Sequence, residues 1–229
     1  MWGALESISH DQSAAVLDHW ERAAESIVEN IANGNSRRAS ADRNRYFDVA
    51  IGLALECAAC LDICVCKKLV TNNRQAEGKA ALHRIVNMTI GLRESHSPYV
   101  REDQEGYVVS KDDVNYFAHE RLDVYKVSLG LVVWLNGFLG AAEVTSPYAV
   151  RLDKGSTGVA LNIAEGNGRF SEADQIRFLD IAHTCSMRVA ACLDLLVARQ
   201  HVEEYQIEEG KRILSKIVPL LLRLRDSLN

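Results

Sequence analysis

Apolar residues recur at three- and four-residue spacing along most of this chain, the mark of helices with one buried face. From Phe178 the positions Phe178, Ile181, Ala182, Cys185, Val189, Cys192, Leu193 and Leu196 form one such stripe. Phe47, Val49, Ala50, Leu53, Cys57, Cys60, Leu61 and Cys64 form another. Leu82, Ile85, Val86 and Leu92, and later Leu214, Ile217, Val218 and Leu224, mark a helix after each. The pattern predicts helices over about 12–33, 41–70 and 77–94, and one from about Ala118 to Ala141 with Leu122, Tyr125, Leu129, Val132, Val133 and Phe138 on or near one face. Ser171 with Asp174 makes a capping box, and Gly166 with Gly168 offers the preceding helix an end with φ > 0. Arg93 and Arg225 suit the negative end of a helix dipole. Pro219 predicts a kink near Lys216, which the first copy lacks because Asn87 stands there.

The resemblance between the stripes is a duplication. Asn30–Ser95 aligns without a gap on Asn162–Ser227, an offset of 132, with roughly 27 identities in 66 pairs. The helix 118–141 has no equivalent in the first half, because its counterpart would precede Met1. An all-α protein of two tandem homologous antiparallel bundles follows, up-and-down in topology, three helices in residues 1–95 and four in 117–229. Residues 96–116 read as an acidic linker, or as an ordered arm anchored by Tyr99, Tyr107 and Tyr116. Three helices leave an apolar groove, to be covered by residues 1–11, the linker, the other half or another subunit.

Composition narrows the function classes. The formal charge of −5 divides as −1, −3 and −1 over residues 1–95, 96–116 and 117–229, against the basic balance expected of a strong sequence-independent nucleic-acid binder. No uninterrupted run of apolar residues approaches a membrane span, and the first residues carry no secretory signal pattern, so a cytoplasmic protein off the membrane is expected. Cys57, Cys60 and Cys64 share a helical stripe, but their counterparts are Val189, Cys192 and Leu196, so they read as reduced core residues. The seven histidines include no i, i+4 pair, and neither Gly-x-Ser-x-Gly nor a phosphate-cradling glycine loop occurs. No catalytic residue, cofactor or metal is predicted.

Two features remain as candidate sites. Asn30 and Gly34 recur as Asn162 and Gly166, with Glu165 between the latter, and read as a structural turn motif whose amide satisfies helix-end groups. Beside it Arg37, Arg38, Arg43 and Arg45 in the first half, and Arg169 and Arg177 in the second, form a candidate patch for nucleic acid or an acidic partner.

Residues 117–229 resemble the four-helix-bundle family of 23S ribosomal RNA intervening-sequence proteins and retroelement accessory variability proteins. The resemblance rests on Leu122-Asp123-Val124-Tyr125-Lys126, on Asn162-Ile163-Ala164-Glu165-Gly166, on Arg169 and Ser171, and on Phe178-Leu179-Asp180-Ile181-Ala182. It implies an up-and-down bundle without catalytic activity that assembles into homo-oligomeric rings. In the retroelement branch it implies a reverse-transcriptase partner and a basic nucleic-acid surface. The family's glutamate in the third helix is Glu56 in the first half and Arg188 in the second. A non-enzymatic, self-associating interaction or scaffold protein is the function expected, with a protein partner, and a nucleic-acid-binding accessory protein is the alternative.

Overall fold

The computed structural model describes residues 10–94, 117–142, 144 and 146–228. Seven helices make up the described chain: α1 (His10–Ser36), α2 (Ser40–Cys66), α3 (Asn72–Glu94), α4 (Asp123–Ala141), α5 (Ser146–Asn167), α6 (Glu172–Ala198) and α7 (Glu204–Asp226). A 3-10 turn, Ala118–Arg121, precedes α4, and no strand occurs among the described residues. The expected segments at residues 1–9 and 95–116, including Tyr99, Tyr107 and Tyr116, lie outside them.

The duplication holds residue by residue. Shifted by 132, the bounds of α2 and α3 become those of α6 and α7. The turns that follow α2 and α6 are copies too. Lys68 and Gln200, at equivalent positions, are the two non-glycine residues with positive φ among those described, at 60° and 58°. Past each, a backbone amide closes the helix end: Leu69 N–H donates to the Cys64 carbonyl at 2.8 Å, His201 N–H to that of Leu196 at 2.9 Å. This left-handed closure ends α2 at Cys66, short of 70, and lets α3 begin at Asn72, ahead of 77. Neither Gly nor Asn stands at the positive-φ position, so the usual signal for the break is absent from the sequence.

Gly166 and Gly168 differ from expectation in a related way, since no described glycine has positive φ. Their role is space. A Cβ on Gly166 would stand 2.9 Å from Phe178 Cβ, and one on the equivalent Gly34 would stand 2.5 Å from Phe47 Cε1. Ser171 caps α6, accepting from the Asp174 amide at 3.4 Å, without the return bond from the Asp174 side chain that a capping box requires. Pro219 sits inside α7, which continues to Asp226.

In the second repeat α4 packs on α5 and α7, and α6 packs on the same two, closing a four-helix bundle. In the first, α2 lies against α1 and α3, and its remaining side is taken by α5 and α4 of the second repeat. Two apolar cores result. One joins α1, α2 and α3 and takes in Phe117 from the start of the second repeat. The other joins α4 to α7 and takes in Ala59, Cys60, Ile63 and Cys64 of α2. α2 is therefore enclosed along most of its length, and burial pushes the Cys57 and Cys64 thiols up to about 12. By length and hydropathy alone α2, α4 and α6 could each cross a membrane, although no sequence run is apolar without interruption. In α2 78% of the most apolar window is buried inside the protein, in α6 only 33%.

Candidate functional site

A group of buried polar residues gathers where the second repeat begins. Asp62 sits on α2 between Leu61 and Ile63, and Lys79 on α3 one residue after Gly78, whose missing Cβ makes room for Leu61. The Lys79 ammonium donates to Asp62 Oδ1 at 2.5 Å and to Glu120 Oε2 at 3.0 Å, with all three side chains nine-tenths or more buried. Gln75 Nε2 donates to Asp62 Oδ1 at 2.5 Å, and the fully buried Tyr125 hydroxyl donates to Oδ2 at 2.7 Å. Glu120 also accepts the Phe117 amide at 2.9 Å. Phe117 stacks on His83 with ring centroids 3.9 Å apart, and His119 meets the Tyr125 ring edge-on at 4.7 Å.

This network joins the halves: α2 and α3 supply Asp62, Gln75 and Lys79, and the 3-10 turn and α4 supply Glu120 and Tyr125. Burial raises the Glu120 carboxyl, opposed by Lys79, and raises the Tyr125 hydroxyl beside Asp62. Burial lowers His119 to about 3, with the Lys79 charge adding to it, so the imidazole is neutral at pH 7. Asp62, His119 and Glu120 bring one ligand atom each within 4.8 Å of one another, a donor set of the kind that binds a divalent ion. Lys79 already bridges both carboxylates, so the cation of this network is an ammonium. Sequence reading missed the network. Its signal was present in two charged positions, Asp62 and Lys79, that recur as Asp194 and Lys211, the aspartates inside otherwise apolar stretches.

The arginines are divided by the structure. Arg37 and Arg45 are exposed and line a cleft of about 510 Å³ with Asn30, Asp42, Tyr46 and Val49. Arg37 donates to the Tyr46 hydroxyl at 3.0 Å and lies over its ring at 5.2 Å. Arg38 is exposed, and Arg43 donates to its carbonyl at 3.2 Å. Arg169, by contrast, is turned inward: its side chain is 10% exposed, pairs with Glu165, stacks 4.9 Å from Phe178 and lies against Gly52 of α2. Arg177 is exposed, 4.5 Å from the same Phe178 ring and 4.0 Å from Asp174. The turn asparagines act one turn earlier than expected. Asn30 Nδ2 donates to the Ser26 carbonyl and Asn162 Nδ2 to that of Gly158, both at 2.7 Å, within their own helices rather than across the turn.

The repeats differ most in what covers the equivalent helices α2 and α6. On α2, Leu55, Glu56, Ala59, Ile63 and Lys67 are buried. Their counterparts on α6, Met187, Arg188, Ala191, Leu195 and Arg199, are all exposed. At the tightest point a Cβ on Gly168 would stand 2.8 Å from Gly52 Cα and 3.1 Å from Leu55 Cδ2, so α5 reaches α2 there backbone to backbone. At the far end Lys67 pairs with Asp153 of α5.

Fold and site together define a duplicated helical bundle whose polar chemistry joins one repeat to the other. Residues 2–91 and again 120–223 match the sequence model of the 23S rRNA-intervening sequence protein family. The chain belongs to that family, which is not known as a family of enzymes. No curated protein matches, and neither does any solved structure.

Proposed function

We propose that this protein is a non-enzymatic interaction scaffold of the cytoplasm that associates with itself and holds a partner protein without any cofactor. The observation that carries the reading is the outward face of α6, where Met187 and Leu195 are 50% and 45% exposed between charged residues. Apolar side chains grouped on a helix face are a common feature of binding surfaces. The buried polar groups serve the reading differently. Asp62, Lys79, Glu120 and Tyr125 are tied to one another by ion pairs and hydrogen bonds, which suits a joint between repeats and leaves no activated nucleophile or base among them. Native mass spectrometry over micromolar concentrations tests the scaffold: oligomers that grow with concentration are expected, and a strict monomer refutes self-association.

The cleft at the α1–α2 turn favours a second reading, a nucleic-acid accessory role. Arg37 and Arg45 with the Tyr46 ring supply cations and a stacking surface of the kind single strands use. Under that reading RNA binding falls steeply with salt and is lost when Arg37, Arg38, Arg43 and Arg45 are replaced by glutamine. Weak binding indifferent to these four residues removes it.

A further inference from the structure

We infer that copies of this chain join head to tail, the outward face of α6 in one copy seated on the outward face of α1 in the next. This rests on the self-association reading and names its surfaces. Within the chain, α2 of the first repeat is clasped by α5 of the second. α6 is the copy of α2, and α1 is the copy of α5, so the chain carries a second, unused edition of both halves of its own internal joint.

The α1 side matches the α6 side in exposure. The face of α5 that meets α2 at Asp153 and, just past the helix end, at Gly168 carries Thr157, Ala160 and Ala164 at helical spacing between them, all but Asp153 buried and the Asp153 side chain 15% exposed. Their counterparts on α1, Glu21, Glu25, Val28, Ala32 and Ser36, are exposed, with Val28 at 68%. Copies of the two surfaces that are buried against each other at one joint thus stand open, one on α1 and one on α6.

Charge fits the same register. The internal joint holds the Lys67–Asp153 ion pair at its far end. The shift that carries α2 to α6 and α1 to α5 turns this pair into Arg199 and Glu21, with both signs kept. In the same register Arg188, standing where α2 has Glu56, would meet Asn33, which stands where α5 has Glu165, so the close approach of two carboxylates at the internal joint is not repeated there. The charged groups in the α6 stripe also make a bilayer a poor occupant of it. Thr184 and Ser36 replace Gly52 and Gly168, so the helices cannot close as tightly at that end. The joint between copies is accordingly weaker and reversible. Because the two faces differ, the contact is heterologous and builds rings or open chains.

The test is a charge reversal read by sedimentation velocity. Arg199→Glu and Glu21→Arg alone should each weaken association by about tenfold or more, and the two together in one chain should restore it. Both side chains are exposed, so the thermal melts should not move, and that control separates loss of contact from loss of fold. If the wild type associates but neither reversal changes it, this interface is wrong while self-association stands. A wild type that stays monomeric overturns both, and a folded double variant that remains weak overturns the Arg199–Glu21 register.

Discussion

Replacing Lys79 with methionine should cost the protein several kilocalories per mole, while the same change at Lys211 should cost almost nothing. The two lysines are equivalent in the duplication, and each is bonded to the equivalent aspartate. Lys211 reaches Asp194 Oδ1 and Oδ2 at 2.6 and 2.7 Å, but the pair lies at the surface, with side chains 38% and 60% exposed. Water replaces the lost partner there, and exposed pairs contribute about 0.2–1 kcal/mol. Lys79 is the cation shared by Asp62 and Glu120, both 10% exposed or less. Without it Asp62 keeps only Gln75 and Tyr125 as donors, Glu120 keeps only the Phe117 amide, and two buried negative charges face each other. Breaking a buried pair by removing one partner costs about 3–5 kcal/mol. For a chain of this size that corresponds to a melting-temperature loss of roughly 10 °C. The sign of the pH response follows. Burial already raises the Glu120 carboxyl against the opposing Lys79 charge, and without that charge it rises further, so the folded form gains a proton on acidification and Lys79→Met recovers part of its loss as pH falls. Differential scanning calorimetry of both variants between pH 5 and 7.5 reads this out. Equal losses at the two sites, or a Lys79→Met deficit that grows in acid, would refute the account of the network.

His119 is lowered to about 3 among Asp62, Lys79, His83, Glu120 and Tyr125. Above the unfolded pKa of about 6.5 both states are neutral, and below it only the unfolded state takes the proton, so wild type should lose about 2 kcal/mol relative to His119→Phe between pH 7 and 5, measured by urea unfolding. Ile63→Ala should cost about 2–5 kcal/mol because Ile63 is fully buried, and its counterpart change Leu195→Ala should leave stability within about 0.5 kcal/mol. Gly168→Ala should cost about 1–3 kcal/mol by forcing α5 off α2, whereas Ser36→Ala at the equivalent place is neutral by the same melts. Elemental analysis of protein prepared without chelator should find no stoichiometric zinc, since Lys79 holds the carboxylates of the one compact donor group among the described residues.

The helices were legible because their stripes repeat, and the duplication fixed which helix answers to which. The family resemblance read from Asn162–Gly166 and its neighbours agrees with the family match over both repeats. The turns were less legible. Lys68 and Gln200 take positive φ without being Gly or Asn, since tertiary packing of α3 and α7 sets those turns. The polar joint was hidden for another reason. Asp62 and Asp194 are the same residue in the same pattern, yet one is 6% exposed and the other lies at the surface. Only the docking of the second repeat makes that difference, and docking is not encoded in the local period. Arg169 misled in the same way: it aligns with the exposed Arg37 but is turned into the crossing with Gly52.

Cysteine trapping tests the head-to-tail account most directly. Chains carrying Glu21→Cys alone and Arg199→Cys alone are prepared separately, then mixed and mildly oxidised, with the wild type as control for its own thiols, of which Cys66 and Cys185 are partly exposed. The account predicts a covalent dimer in the mixture, little in either variant alone, and a ladder of multimers when both cysteines are in one chain. A dimer from either variant alone, or no dimer from the mixture at concentrations where the protein associates, would contradict it.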